Sequence, residues 1–482
     1  MNLASLTQSL QAWMPELILS VGAMAGLLLG VFARRPSSAV AMTWATLVLY
    51  AAALSTAPSA PDGPWFFGMI VLDGWSQVFR WVALGTVALV VLMTTSASDV
   101  ERAWRGEYVG LLLFVGVGLM LMAQANHLLM AYLSIELVSM SSYVLVALTR
   151  DARSSEAALK YLLFGALSSG IMLFGMSLLF GLTGQLSFPG LRTALIGASP
   201  SLVGALSSAL ALILVGLAFK ISMAPFHMWT PDVYEGAPLP VTALLSVGPK
   251  AAGLALLLRL TSTLAPLWDA VAPILLGLTI VTMTLGNVVA VVQHNIKRLL
   301  AYSTIGQVGY LLIGFVVQTE LGVQGLLVYV VAYLVMNLGA FACVTAVCEE
   351  AKSESLEAFR GLSRRSPMLA LALAVFLLSL AGIPPLVGFI GKFLLFGAAI
   401  EAQRIWLAVA GVINSAIALY YYVNIIRYMY LLPPDRPQPL SPSWPLRLAV
   451  GVCGVATVLL GTFPSWLLSW SGSLGWLAAR PL

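Results

Sequence analysis

The chain is built from apolar runs too long for the core of a soluble domain. Segments such as LGVQGLLVYVVAYLVMNLGAFACVTAV from Leu321 and LALALAVFLLSLAGIPPLVGF from Leu369 match or exceed the roughly 20 residues that cross a ~30 Å hydrocarbon layer. Similar runs recur to the end of the chain. Composition agrees, because 60% of the 482 residues are hydrophobic and only 9% are charged, far from the balance of a water-soluble domain. The expected fold is an all-α integral membrane protein of about fourteen transmembrane helices. No lysine or arginine precedes Arg34, so the first apolar stretch lacks the basic start of a signal peptide and is expected to be retained.

Hydropathy and loop breaks place spans near 13–33, 39–57, 75–95, 108–125, 127–148, 159–182 and 204–230. A second set lies near 238–260, 269–292, 298–317, 321–348, 367–400, 404–431 and 446–470. With the N-terminus outside, the inside connections and their edges carry Arg34, Arg35, Arg102, Arg105, Arg150, Arg153, Lys160, Lys297, Arg298, Arg436, Arg447 and the basic residues from Lys352 to Arg365. The outside connections carry Arg192, Arg404 and Arg480, with Arg80 and Arg259 close to that face. An excess of arginine and lysine on one side marks it as cytoplasmic. The formal charge of +5 therefore reports orientation, and no nucleic-acid partner is implied.

Redox chemistry within the chain is not indicated. Cys343, Cys348 and Cys453 lie in apolar stretches without CxxC spacing, which reads as packing. His127, His227 and His294 sit near span ends or a helix break, a poor arrangement for paired haem ligation at the membrane centre. There is no GxGxxG dinucleotide fingerprint either. No cofactor or metal is expected in this chain.

Four charges stand where solvation forbids them. Glu136, Lys220, Lys250 and Lys392 fall inside apolar segments, and three of the six lysines are among them. Each ionised group at mid-membrane costs roughly 2.5–3.5 kcal/mol, so four unpaired would cost on the order of 10 kcal/mol. Lysine suits proton transfer, because burial lowers its pKa toward neutrality and a nearby carboxylate raises it again. Arginine does not release its proton at working pH. Glu136 is the one acid read as deep within a span, so an acid followed by several lysines suggests a relay. Paired structural charges or snorkelling lysines are the bland alternative; for Arg80 and Arg259, nearer span ends, snorkelling is the expectation.

Two of the lysines adjoin helix breaks. Lys220 precedes Pro225 in LAFKISMAPFHMWTPDVYEGAPLP, and Lys392 follows Gly382–Pro385 in LAGIPPLVGFIGKF. Proline removes a backbone donor, and the polar groups freed at membrane depth need protein or a wet cavity beside them. Paired interrupted spans in two halves of a chain point to a transporter of inverted repeats. Ser134, Ser139, Ser141 and Ser142 near Glu136, and Ser303, Thr304 and Gln307, are expected to bond across helices or to order water. His227 is a candidate for connecting water to the opening beside Lys220.

On these motifs the sequence resembles the antiporter-like membrane subunits of respiratory complex I, closest to subunit N of bacterial NADH:quinone oxidoreductase. The motifs in order are MPELILSVGAMAGL, the segment around Glu136, LAFKISMAPFHMWTPDVYEGAP, SVGPKAAG, NIKRLLAYSTIGQVGY and AGIPPLVGFIGKF. The resemblance implies that Glu136 and Lys220 form the coupled pair of a first half-channel, Lys250 the link across the middle, and Lys392 the terminal site of the second. It implies an N-terminal three-helix segment at 1–107, a first inverted repeat at 108–260, a second at 269–431 and a C-terminal helix at 432–482. The terminal lysine fits subunit N, since the M-type relative has a glutamate there, and the length lacks the L-type lateral helix. By the same resemblance, quinone reduction elsewhere drives pumping, and NAD, FMN and iron–sulfur clusters belong to partner subunits. The other membrane-arm subunits and the lipid of a bacterial inner membrane are the expected partners. A cation/proton antiporter subunit working without redox partners could use the same lysines and breaks, and a purely structural anchor would not need them.

Overall fold

The computed structural model describes residues 3–32, 36–56, 65–98, 100, 105–435 and 438–479. The N-terminal group is α1 (Leu3–Ala12), α2 (Met14–Val31), α3 (Pro36–Thr56) and α4 (Gly74–Thr94). A first series follows as α5 (Arg105–Gln124), α6 (Leu128–Ala147), α7 (Ala152–Thr183), α8 (Phe188–Ile196), α9 (Val203–Ile221), α10 (Trp229–Gly236) and α11 (Leu239–Leu264). A second comprises α12 (Trp268–Ala290), α13 (Ile296–Val316), α14 (Glu320–Ala351), α15 (Leu362–Arg365), α16 (Pro367–Ala381), α17 (Val387–Glu401) and α18 (Ile405–Tyr430). The chain closes with α19 (Trp444–Thr462) and α20 (Ser465–Ala479).

Among the described residues, 13 helices are long and apolar enough to cross a membrane, and the 15-residue α16 and α17 together make one further, broken span. An all-helical bundle is what a bilayer requires, since only internal hydrogen bonds satisfy the backbone there. Boundaries differ from the hydropathy reading where local chemistry sets them. α7 starts at Ala152 because the Asp151 side chain caps it, accepting from the Ser154 amide at 2.8 Å. The last expected span, 446–470, is two helices: α19 stops at Thr462, and Pro464, which has no amide to donate, separates it from α20.

The two series share a sequence of parts. α7 and α14 are each 32 residues long, and α11 and α18 each 26. An isolated antiparallel bridge pairs His127 with Ser187 in the first, and Asn295 with Ser355 in the second. The amides beside them bond alike, Leu128 to the Leu186 carbonyl at 2.9 Å and Ile296 to that of Glu354 at 2.8 Å. Each series has one interrupted span, α9 with α10 and α16 with α17, and each break contains a cis X-Pro bond, Ala224–Pro225 and Pro384–Pro385.

Arg153, Lys160, Lys297, Arg298, Lys352, Arg360, Arg364 and Arg365 gather at one end of the bundle, where α7, α13 and α16 begin and α14 finishes. Arg192 and Arg404 mark the opposite end. Arg34, Arg35, Arg102, Arg436 and Arg480 lie outside the described residues.

Close packing holds the bundle together, since lipid gives apolar faces no drive to leave it. Gly26 and Gly30 on α2 meet Gly106 and Gly110 on α5: a Cβ at Gly26 would stand 3.7 Å from the Gly110 Cα, and one at Gly30 only 2.8 Å from the Glu107 amide. This small-residue spacing lets the two backbones touch. The most enclosed spans are α11 and α13, each 94% buried within the protein over its apolar window, against 28% for α19. A charge on α11 therefore has no route to lipid headgroups.

Candidate functional site

Lys220 occupies the last turn of α9, just ahead of the break. Its side chain is fully buried, and Nζ donates to the Ser139 hydroxyl on α6 at 3.0 Å. Ser139 also donates to its own helix, to the Ile135 carbonyl at 2.7 Å, so it holds the lysine with its free lone pair. Glu136 is one turn earlier on the same α6 face and accepts from Ser169 of α7. It lies close enough to act electrostatically on Lys220. The first expected pair is therefore brought together; Glu136, in the middle of α6, is half-buried in this chain, because α6 turns Leu133 and Met140 outward beside it.

Lys250 sits midway along α11 with no exposed surface. Among the described residues Nζ has no hydrogen-bond partner, and it rests over two ring faces of α10, 4.7 Å from the centroid of Trp229 and 5.3 Å from that of Tyr234. The negative ring faces attract the ammonium without replacing water as acceptors. One turn back on α11, Ser246 accepts from Asn337 of α14 at 2.6 Å.

Lys392 is anchored more firmly. It donates to the Leu380 and Ala381 carbonyls at 3.0 and 3.1 Å and to Ser415 at 3.2 Å, and it lies 4.1 Å from the Tyr310 ring centroid. The two carbonyls are the orphan acceptors at the end of α16, where the helix dipole also favours a cation. The break expected from Gly382–Pro385 thus supplies the ligands of the lysine that follows it.

Between Lys250 and Lys392 runs a strip of side-chain hydroxyls and amides. Tyr333 of α14 donates to Thr304 of α13 at 3.0 Å. One turn along α13, Gln307 accepts from Tyr329 and donates to Tyr422 at 3.1 Å. Ser303 shares a hydrogen bond with Tyr422 at 2.5 Å. Gln307 also donates to the Leu380 carbonyl at 3.1 Å, the group that holds Lys392. Sequence reading found Ser303, Thr304 and Gln307 but not their tyrosine partners. A tyrosine in an apolar span reads as packing until its hydroxyl is seen to find another helix.

His227 lies half-buried in the break between α9 and α10, with Nδ1 lacking a hydrogen-bond partner among the described residues. Of the serines near Glu136, Ser134 bonds only within its helix, to the Ala131 carbonyl at 2.9 Å. The three cysteines are buried and free.

Arg80 and Arg259 do not snorkel. Arg80 is buried against Glu16, Nε to Oε1 at 2.5 Å and Nη2 to Oε2 at 2.6 Å, and Gln124 completes the carboxylate at 2.6 Å. Arg259 grips Asp73 through two nitrogens at 2.9 and 2.7 Å. Two-pronged pairing with a carboxylate is better satisfied than reaching for the headgroups. Glu16 is thus an acid fully buried within the protein, hidden from sequence reading by its place in the first turn of α2.

At the basic end a network of ion pairs joins the two series. Arg298 Nη1 donates to both Asp232 and Glu235 of α10, at 2.9 and 2.8 Å. Arg153 reaches Glu235 at 3.1 Å and Glu354 at 2.7 Å. Lys160 meets Asp232 at 2.9 Å, and Lys297 bonds Glu354 at 2.8 Å and the Ala237 carbonyl at 2.7 Å. Burial works to raise the pKa of Glu354, but the charge and hydrogen bonds of Lys297, with Asn295 and Arg153, bring it below the usual carboxylate value.

The family described as NADH:quinone oxidoreductase/Mrp antiporter, TM, matches residues 125–418. The NADH-quinone oxidoreductase subunit N of Trichlorobacter lovleyi is 42% identical, over 98% of this chain and 98% of its own. A chain of respiratory complex I from Thermus thermophilus is 35% identical with a TM-score of 0.80, covering 94% of this chain and 98% of that one. A chain of the Mrp complex from Dietzia sp. shares the fold at a TM-score of 0.86 and 21% identity, over 98% of both.

Proposed function

Given that the chain belongs to the NADH:quinone oxidoreductase/Mrp antiporter membrane family, and within it to the subunits N, we propose that Glu136, Lys220, Lys250 and Lys392 carry protons through it in that order of position. The chain is a proton-translocating membrane-arm subunit of an NADH:quinone oxidoreductase, a multi-pass membrane protein whose neighbours are the other subunits of that arm. Its own residues move protons, while quinone reduction, with the NAD, FMN and iron–sulfur chemistry, is assigned to partner subunits.

The observation that carries the assignment is Lys250, fully enclosed yet without a hydrogen-bond acceptor among the described residues. A structural cation would be paired, as Arg80 and Arg259 are; a lysine left on ring faces is one whose proton can leave. Glu136 acts on Lys220 from the half-open edge, Lys220 acts in turn on Lys250, and the Thr304, Gln307 and tyrosine strip leads on to Lys392. Half-channels in two inverted repeats, 108–260 and 269–431, fit the matched order of parts in the two series, with 1–107 and 432–482 as flanking segments. His227 supplies the water contact at the first break. The basic end is assigned to the cytoplasm and the N-terminus to the outside by the positive-inside rule. Identity of 42% to a subunit N favours the redox-driven reading over the redox-independent antiporter.

The test is Lys250→Met in the assembled complex, in inverted membrane vesicles given NADH and a quinone. The expected result is intact assembly with proton uptake per NADH clearly below the parent. An unchanged ratio would remove Lys250 from the path, and cation/proton exchange by the reconstituted chain alone, without redox turnover, would favour the antiporter.

A further inference from the structure

The ion-pair network at the basic end and the enclosed Lys250 meet through α10. On this eight-residue helix Asp232 and Glu235, 60° apart at 100° per residue, both turn to Arg298, while Trp229 and Tyr234 lie over Lys250. The inward rings are fully buried over Lys250. The outward carboxylates are 36% and 28% exposed and converge on a single nitrogen, Arg298 Nη1. That arginine belongs to α13, in the second series, whereas α10 belongs to the first.

The position of α10 is not inherited from α9, because the helix is interrupted between them at 222–228. It is set by contacts. Trp229 Nε1 reaches back to the Phe219 carbonyl at 3.1 Å and its ring stacks on Tyr161 of α7, centroids 4.4 Å apart. At the other extremity Gly236 presses against Ala157 of α7, leaving no room for a side chain. A cavity of about 490 Å³ opens beside this end, lined by Arg153, Leu239, His294, Asn295, Lys352 and Glu354. Leu239 is the first residue of α11, so the cavity opens at the head of the helix that bears Lys250, about 16 Å along its axis from that lysine.

We propose that Arg298 is a positioning residue for Lys250: by clamping Asp232 and Glu235 it seats Trp229 and Tyr234 over the ammonium and holds the water of the adjoining cavity away from it. Release of the clamp tilts α10 outward, admits water and lets Lys250 exchange protons with the basic end out of step with its neighbours. The inference rests on reading Lys250 as a proton carrier.

The experiment compares parent, Arg298→Ala and Arg298→Lys as assembled complexes, by hydrogen–deuterium exchange of the α10 peptide and by protons taken up per NADH. Arg298→Ala is expected to speed α10 exchange by about tenfold, as local opening does, and to lower the proton ratio while NADH oxidation continues. Arg298→Lys, which keeps a charge for the two carboxylates, is expected to restore both. Parental exchange in Arg298→Ala overturns the clamp, and faster exchange with a parental ratio overturns its hold on Lys250. If Arg298→Ala fails to assemble, Glu235→Gln removes one of the two carboxylates and is read by the same outcomes. Lys250→Met separates the two claims, since a parental ratio there sinks the relay whatever α10 does.

Discussion

Gln307 and Lys392, on α13 and α17, donate to the same acceptor, the Leu380 carbonyl, at 3.1 and 3.0 Å. That carbonyl is free because the α16 backbone stops at Gly382. A side chain of the hydroxyl strip and the terminal lysine are thus fastened to one atom, and a shift of either is felt by the other.

Replacing Gln307 by leucine removes two donated bonds and the one accepted from Tyr329. Each such bond is worth roughly 1 kcal/mol, and a buried hydroxyl left unpaired costs about 1–3 kcal/mol. The expected outcome for Gln307→Leu is assembled complex with proton transfer slowed by about tenfold, measured as vesicle acidification rate at saturating NADH. A parental rate would place the strip outside the path.

Ser139 offers a more selective probe of the first pair. Ser139→Ala removes the one hydrogen bond that Lys220 Nζ makes among the described residues and leaves Glu136 and its serine partner in place. Pumping is expected to fall less in Ser139→Ala than in Lys220→Ala, with Glu136→Gln altering the pH profile of the same step. Protons per NADH across pH 6–8 check the ranking, and Lys220→Ala with parental stoichiometry would remove that lysine from the relay.

Much of this was legible beforehand, and what was not has a physical reason. The spans follow from the length of apolar runs, and the two breaks from Pro225 and Gly382–Pro385. Lys220, Lys250 and Lys392 declared themselves by standing where solvation is costly. The pairing of Arg80 with Glu16 did not, because both lie near span ends, where a charge has two outlets and hydropathy cannot choose. The tyrosines of the strip were equally silent, since Tyr333 and Tyr422 fit an apolar span whether or not their hydroxyls are bonded. The half-open position of Glu136 depends on which face α6 turns away from the bundle, and that is decided by packing between helices.

The Glu16–Arg80 pair gives a prediction about assembly. Removing one partner of a buried pair strands the other charge at roughly 3–5 kcal/mol, whereas replacing both by apolar groups is often neutral. Glu16→Leu and Arg80→Met singly are expected to reduce the amount of assembled complex in the membrane severalfold, and the double variant to recover most of it. Native gel electrophoresis of solubilised membranes reads the result. A double variant worse than either single would mean that the pair does more than hold α2 against α4.

The pH dependence of the basic end follows from Glu354. Lys297 and its neighbours hold this carboxyl below its ordinary value of 4.5, so the folded state binds its proton less tightly than the unfolded chain does. The contribution of the carboxylate is then fully present above pH 4.5 and is lost as pH falls through the lower folded value. Lys297 is almost enclosed, at 3% exposure, and Glu354 is 21% exposed, which makes the bond worth roughly 1–2 kcal/mol. Thermal unfolding of Glu354→Gln against the parent checks the sign. The variant should melt lower at pH 7, and the gap should narrow only below about pH 4.5. A gap that closes between pH 7 and 5 would assign the effect to another group.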